Sequence, residues 1–151
     1  MIDATSQSSF LARLSPTTRE AILALAQTYH YKTGDSIFRE GDPAAMLYIV
    51  KSGRVAIEIH IPSKGRQTIQ TAVPGDPFSW SALVEPQIET ASARAMEETE
   101  VLGMKSGALM DLFQERCRVG FEVYHALAVL ITQRLVSTRL QLLDMYSTSA
   151  P

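Results

Sequence analysis

Cysteine is almost missing from this chain: Cys117 stands alone in 151 residues. No internal disulfide can form, and nothing requires an oxidising compartment. Long apolar runs are missing too, and no stretch approaches the ~20 consecutive apolar residues that span a bilayer. The N-terminus, MIDATSQSSFLARL, lacks the basic stretch and continuous apolar run of a signal peptide. The chain reads as cytoplasmic, without membrane contact. An excess of charge is absent as well. A formal net charge of −2 argues against a surface built mainly to hold nucleic acid, so no direct nucleic-acid contact is expected. Catalytic signatures are lacking: there is no Gly-x-Ser-x-Gly, phosphate loop or dinucleotide fingerprint. His30, His60 and His125 are scattered, with no His-x-His pair, so neither a metal nor a cofactor is expected. Cys117 precedes Arg118 but has no companion histidine motif, which makes it a buried or incidental thiol. The chain is not expected to be an enzyme.

What is present is a change of period along one domain of ordinary globular composition. Residues 1–28 read as helical. Phe10, Leu11 and Leu14 make a short stripe, and Ser15-Pro16 supplies an N-cap and a first-turn proline for Thr17 to Thr28. Residues 29–105 read as short strands. Tyr29–Lys32, Ser36–Phe38, Leu47–Lys51, Arg54–Ile61, Gln67–Val73, Thr90–Ala95 and Glu98–Met104 are punctuated by Gly34-Asp35, Gly41-Asp42, Gly53, Gly65 and Gly75-Asp76. In Arg54–Ile61 the residues Val55, Ile57, Ile59 and Ile61 alternate with Arg54, Glu58 and His60, which predicts a core face and a wet face. The spacing predicts a barrel or jelly roll.

Residues 106–146 return to helix. Ser106 is placed to cap a short helix through Phe113. A long helix is predicted from Arg118 to Tyr146, about 43 Å at 1.5 Å per residue. Along it Tyr124, Ala128, Ile131, Leu135, Thr138, Leu142 and Met145 recur at alternating spacings of four and three, the seam of a coiled coil. A second stripe, Val123, Leu127 and Leu130, covers the first half only. The expectation is a first half packed on the barrel and a seam facing a second copy. The alternative is one helix lying wholly on its own barrel.

Two runs carry a resemblance: Gly34-Asp-Ser-Ile-Phe-Arg-Glu-Gly41-Asp42, and Leu47-Tyr-Ile-Val-Lys-Ser-Gly53-Arg-Val55. Their glycine spacing and apolar alternation resemble the cyclic-nucleotide-binding domains of the catabolite-activator and protein-kinase-A regulatory families. The resemblance covers about Phe10 to Tyr146. It implies a mainly β fold: a jelly-roll-like double-stranded β-helix of about eight strands, with N-terminal helices and a long C-terminal dimerisation helix that closes over a ligand pocket. The transcription-factor branch adds a helix-turn-helix after that helix, and too few residues follow Tyr146 for one.

The resemblance also implies where a small-molecule effector would sit. The cassette runs from Phe78 to Ala95, and Phe78, Ala82, Leu83 and Ala91 fit the family pattern. Ser79 replaces the usual glycine, Trp80 stands at the ribose-binding glutamate, and Glu89 stands at the phosphate-binding arginine. Ser81 and Thr90 complete the implied pocket, with Thr138 at the hydroxyl position that some bacterial members set against the base. Losing a buried guanidinium forfeits roughly 1.5–3 kcal/mol. A carboxylate ~5 Å from the phosphate adds about 3 kcal/mol of repulsion at an effective dielectric of ~20. Together these remove over three decades of affinity, so tight binding of cyclic AMP or cyclic GMP is not expected. Arg94 and Arg54 are the candidate replacement cations by type. Trp80 reads either as an aromatic wall for a flat ligand or as a plug in a disused pocket, and Glu89 either as a partner for a cationic ligand or as a solvated rim residue. The domain is thus expected to be a dimeric regulatory sensor. The alternatives are a constitutive protein-interaction module with a plugged pocket, or a cyclic-nucleotide receptor with an unusual phosphate partner.

Overall fold

The computed structural model describes residues 9–148. The chain opens with helix α1 (Ser9–Ala12) and helix α2 (Pro16–Leu23). The Ser15 side chain caps α2 by accepting from the Thr18 N–H at 3.3 Å, and Pro16 occupies the first turn, where its missing N–H costs nothing. The helix is shorter than the predicted Thr17–Thr28. Gln27 and Thr28 already pair with Gly103 and Leu102, so the sheet begins two residues before the boundary expected at 29.

Eight strands follow: β1 (Gln27–Tyr31), β2 (Ser36–Phe38), β3 (Met46–Ser52), β4 (Val55–Ile61), β5 (Gly65–Ala72), β6 (Pro77–Phe78), β7 (Ser92–Ala95) and β8 (Thr99–Lys105). They form two antiparallel four-stranded sheets, ordered β1-β8-β3-β6 and β2-β7-β4-β5. This is the expected mainly β roll. Only the two-residue β6 escaped the sequence pattern, being too short to show a period of two.

Strand β3 explains how two cores share one wall. Successive side chains leave a strand on opposite faces, and Leu47, Tyr48, Ile49 and Val50 are all buried. Leu47 and Ile49 point into a helix-side core with Phe10, Ile22, Leu109, Phe113 and Val123. Tyr48 and Val50 point into the roll with Val55, Phe78, Ala93 and Val101. Each such side chain stabilises the fold by roughly 1.5–3 kcal/mol relative to exposure.

Strand β4 departs from the predicted wet face at one residue. Glu58 is buried, because Arg94 covers it with a 2.6 Å ion pair and Arg66 adds a second at 3.6 Å. A register shift between Ile57 and Glu58 accompanies this change.

The C-terminal part contains α3 (Ser106–Glu115) and α4 (Cys117–Thr148). Lys105, not Ser106, takes the N-cap position of α3; Ser106 is the first helical residue and spends its hydroxyl elsewhere. Cys117 is exposed at the start of α4. The predicted barrel-facing stripe of Val123, Leu127 and Leu130 is buried. By length and composition alone the segment Cys117–Ser147 could cross a membrane, although it holds no unbroken apolar run of that length; a third of its most apolar window is buried inside the fold.

Candidate functional site

The predicted cassette is a tightly pinned loop between β6 and β7. After Phe78 the chain turns through Ser79, whose φ of 63° is a left-handed conformation that L residues disfavour. It then forms a short 3-10 turn, Trp80–Leu83, passes a cis Glu85-Pro86 bond, and returns toward β7. The loop after β2 anchors this return: Gly41 N–H donates to the Glu89 carbonyl (2.9 Å) and Glu89 N–H donates to the Asp42 carbonyl (2.8 Å).

The 3-10 turn is also tied to the helices. Ser106 Oγ donates to the Ala82 carbonyl at 2.9 Å, Gln87 Nε2 donates to the same carbonyl at 2.7 Å, and Tyr124 Oη donates to the Leu83 carbonyl at 2.8 Å. Tyr124, expected in the seam, therefore spends its hydroxyl inside its own chain, and its ring meets Phe113 edge-on.

Between the cassette, β4, β5 and α4 lies a cavity of about 100 Å³. Of the residues the resemblance assigns to a pocket, Phe78, Ser79, Trp80, Ser81, Glu89, Thr90 and Ala91 line it, together with Phe38, Ile57, Ile69, Gln70 and Arg134. Ala82 and Leu83 do not; both are buried behind it. Thr138 is exposed and does not reach the cavity, and the helix residue that does is Arg134, one turn earlier.

Glu89 is buried, which overturns its reading as a solvated rim residue. The Ser79 hydroxyl donates to its Oε2 at 2.5 Å. Burial pushes its carboxyl up to about 7; the Ser79 bond works against that rise, and the negative charge of Asp42 adds to it. Neither candidate cation rescues this position. Arg94 is held by Glu58 on the outer face of the roll, and Arg54 pairs with Glu97 at 3.0 Å.

The cation comes instead from α4. The Arg134 guanidinium lies over the Trp80 ring, 4.9 Å from its centroid, with Asp76 at 4.0 Å. Burial lowers its pKa, with Asp76 opposing the shift. Its Nη1 is buried without a hydrogen-bond partner, and so is Nε2 of Gln70, another residue of the cavity lining. Both residues left signals that the sequence reading passed over. Arg134 continues the stripe Val123, Leu127, Leu130 by one further step of four, a charge where the pattern asks for an apolar residue. Gln70 lies two residues from the buried Ala72 on β5, hence on the same inward face.

Among the described residues no group of three or more His, Cys, Asp or Glu could hold a metal ion. His30 pairs with Glu100, and His125 stacks on Phe121.

An antiparallel roll of two sheets, a pinned cassette and a long helix above the cavity define the class of fold, and comparison with known proteins narrows it. The cyclic nucleotide-binding domain profile matches residues 28–116, and the chain belongs to that family. A "CRP-like cAMP-activated global transcriptional regulator" of Mycobacterium tuberculosis is 29% identical over 139 residues, 91% of this chain and 60% of the relative. The structure of Thermus thermophilus catabolite activator protein aligns with a TM-score of 0.76 at 31% identity, covering 93% of this chain and 63% of that one. A cyclic nucleotide-binding domain from Methylobacillus flagellatus reaches a TM-score of 0.81 at 23% identity, over 91% and 82% of the two chains, and shares the fold. The chain spans about three-fifths of the length of the curated relatives it matches.

Proposed function

We propose that this domain is a cytoplasmic, non-enzymatic regulatory sensor whose pocket has lost tight affinity for cyclic AMP and cyclic GMP. One observation carries the reading: Glu89, buried and hydrogen-bonded to Ser79, occupies the position at which the family resemblance expects the phosphate-binding arginine. The cavity agrees, since about 100 Å³ is well below the ~300 Å³ at which sites for drug-sized ligands begin. The output is a change in how α4 packs, a population shift between two arrangements of the helix. Arg134 and Tyr124 connect α4 directly to the cassette and supply the physical coupling. The exposed seam of α4 pairs two copies, and no direct nucleic-acid contact is assigned to this stretch. Calorimetry with cyclic AMP and cyclic GMP tests the reading. No binding below about 100 µM is expected for either, and submicromolar binding of one would overturn it.

Trp80 gives the plugged-pocket alternative its own support. The ring packs against the helix-side core and carries Arg134 on its face. A domain plugged in this way would act constitutively through its dimer or a protein partner, and its Trp80 fluorescence would respond to no small molecule.

A further inference from the structure

The cavity lining holds both donors and an acid. Among the described residues three buried side-chain nitrogen or oxygen atoms lack a hydrogen-bond partner, and two of them, Gln70 Nε2 and Arg134 Nη1, belong to residues lining this one cavity. A buried donor left unpaired is costly, so these groups suit an acceptor. Glu89 lines the same cavity, with its Oε2 accepting from Ser79. The lining also has apolar parts, from Phe38, Ile57, Ile69 and Phe78.

Charge decides the ligand class. An anion would satisfy the donors but face Glu89; a cation would satisfy Glu89 but face Arg134. A neutral molecule that carries both a carbonyl and an N–H serves the donors and Glu89 and brings no new charge into a buried place. The cavity volume suits a single small ring, and the aromatic and aliphatic walls favour a flat one. We propose that the cavity binds a small neutral cyclic amide, its carbonyl accepting from Gln70 and Arg134 and its ring N–H donating to Glu89. This rests on the sensor reading and names the effector class for the same site.

The test uses the full chain and the emission of Trp80, the sole tryptophan, with calorimetry in parallel. The probes are uracil and 2-pyridone, against benzoate and cyclic AMP. Saturable binding of the cyclic amides, tighter than benzoate, is expected. Gln70→Leu weakens it about fivefold and Arg134→Met about tenfold or more, the losses expected for a neutral and a charge-assisted hydrogen bond. Gln70→Glu, which places a second carboxylate against the carbonyl, abolishes it, and melting curves confirm that each variant is folded. Benzoate binding more tightly than either amide overturns the neutral-amide assignment. Failure of all small rings at millimolar concentration also overturns it, while the loss of cyclic-nucleotide affinity stands on its own arm. Submicromolar binding of cyclic AMP defeats both readings together.

Discussion

The Arg134 guanidinium sits 4.9 Å from the centroid of the Trp80 ring, so the long helix meets the ligand cassette through a cation on an aromatic face. Such contacts contribute ~0.5–1 kcal/mol when exposed and about 2 when desolvated. This one is partly desolvated, because burial lowers the pKa of Arg134 even with Asp76 beside it. It is therefore both a stabilising contact and a reporter of how α4 sits over the pocket.

Replacing Arg134 with Met keeps the stem over the ring and removes the charge. A loss of about 1 kcal/mol is expected, read as a fall in Tm. A change in Trp80 emission should accompany it, since no other tryptophan contributes. Unchanged emission would mean that the cation is not on the ring in solution.

The pH profile should carry the mark of Glu89. Its folded value of about 7 lies above the ordinary carboxylate value of 4.5, so the folded protein holds that proton more tightly than the unfolded chain does. Its contribution to stability is full below about pH 4.5 and is lost as pH rises through about 7. At 1.36 kcal/mol per pH unit, the loss is about 3 kcal/mol. After burial itself, Ser79 acts on it through its hydroxyl and Asp42, from the loop after β2, through its charge; Glu89 in turn helps raise Tyr48 on β3. Glu58 works in the opposite sense, because the Arg94 pair holds it below the usual carboxylate range and its contribution is lost as pH falls. Chemical denaturation of the parent and of Glu89→Gln between pH 5 and 8 separates the two. The parent should lose stability across this window, and the variant should lose most of that dependence.

The architecture was largely written in local pattern, and the site was only half so. Alternation in Val55–Ile61 and glycine spacing around Gly34, Gly41 and Gly53 place the strands, because a roll needs tight turns and one buried face per strand. Phe78 to Ala91 is located by the family resemblance, since the stretch itself shows no regular period. What local pattern cannot carry is partnership across the fold. Glu58 reads as a wet residue until Arg94, 36 positions away, is found covering it. Arg134 reads as a charge misplaced on the apolar stripe until the helix is laid over Trp80.

Gly53 offers a test of the roll itself. Its φ of +87° is left-handed, and a Cβ built there would meet Thr99 Oγ1 and lie 2.5 Å from the Glu98 carbonyl oxygen. The conformation alone costs an L residue ~1–2 kcal/mol, and the backbone carbonyl cannot move aside without disturbing β8. Gly53→Ala is expected to destabilise the domain by about 2 kcal/mol or more, seen as a Tm lower by ~5 °C or more. A Tm within a degree of the parent would refute the tight β3–β4 turn.

Whether α4 pairs with a second copy turns on its second half. Leu135 and Leu142 are each 49% exposed on one chain, and Ile131 and Met145 join them along the same seam. Thr138 is exposed on that seam too, not in the cavity, and Ala128 completes it. Beyond Arg134 the described helix residues are exposed, so the roll offers this part of the seam no cover. An apolar stripe of this length in water calls for a partner, and the four-three spacing suits a like helix. The parent should therefore run as a dimer by sedimentation or light scattering at micromolar concentration. Leu135→Glu should weaken it about 100-fold, because two leucines per dimer lose burial at ~1.5 kcal/mol or more each. The roll and the cavity lie on other residues, so the variant should keep the parent's Trp80 emission. A parent that stays monomeric across that concentration range would end the seam reading.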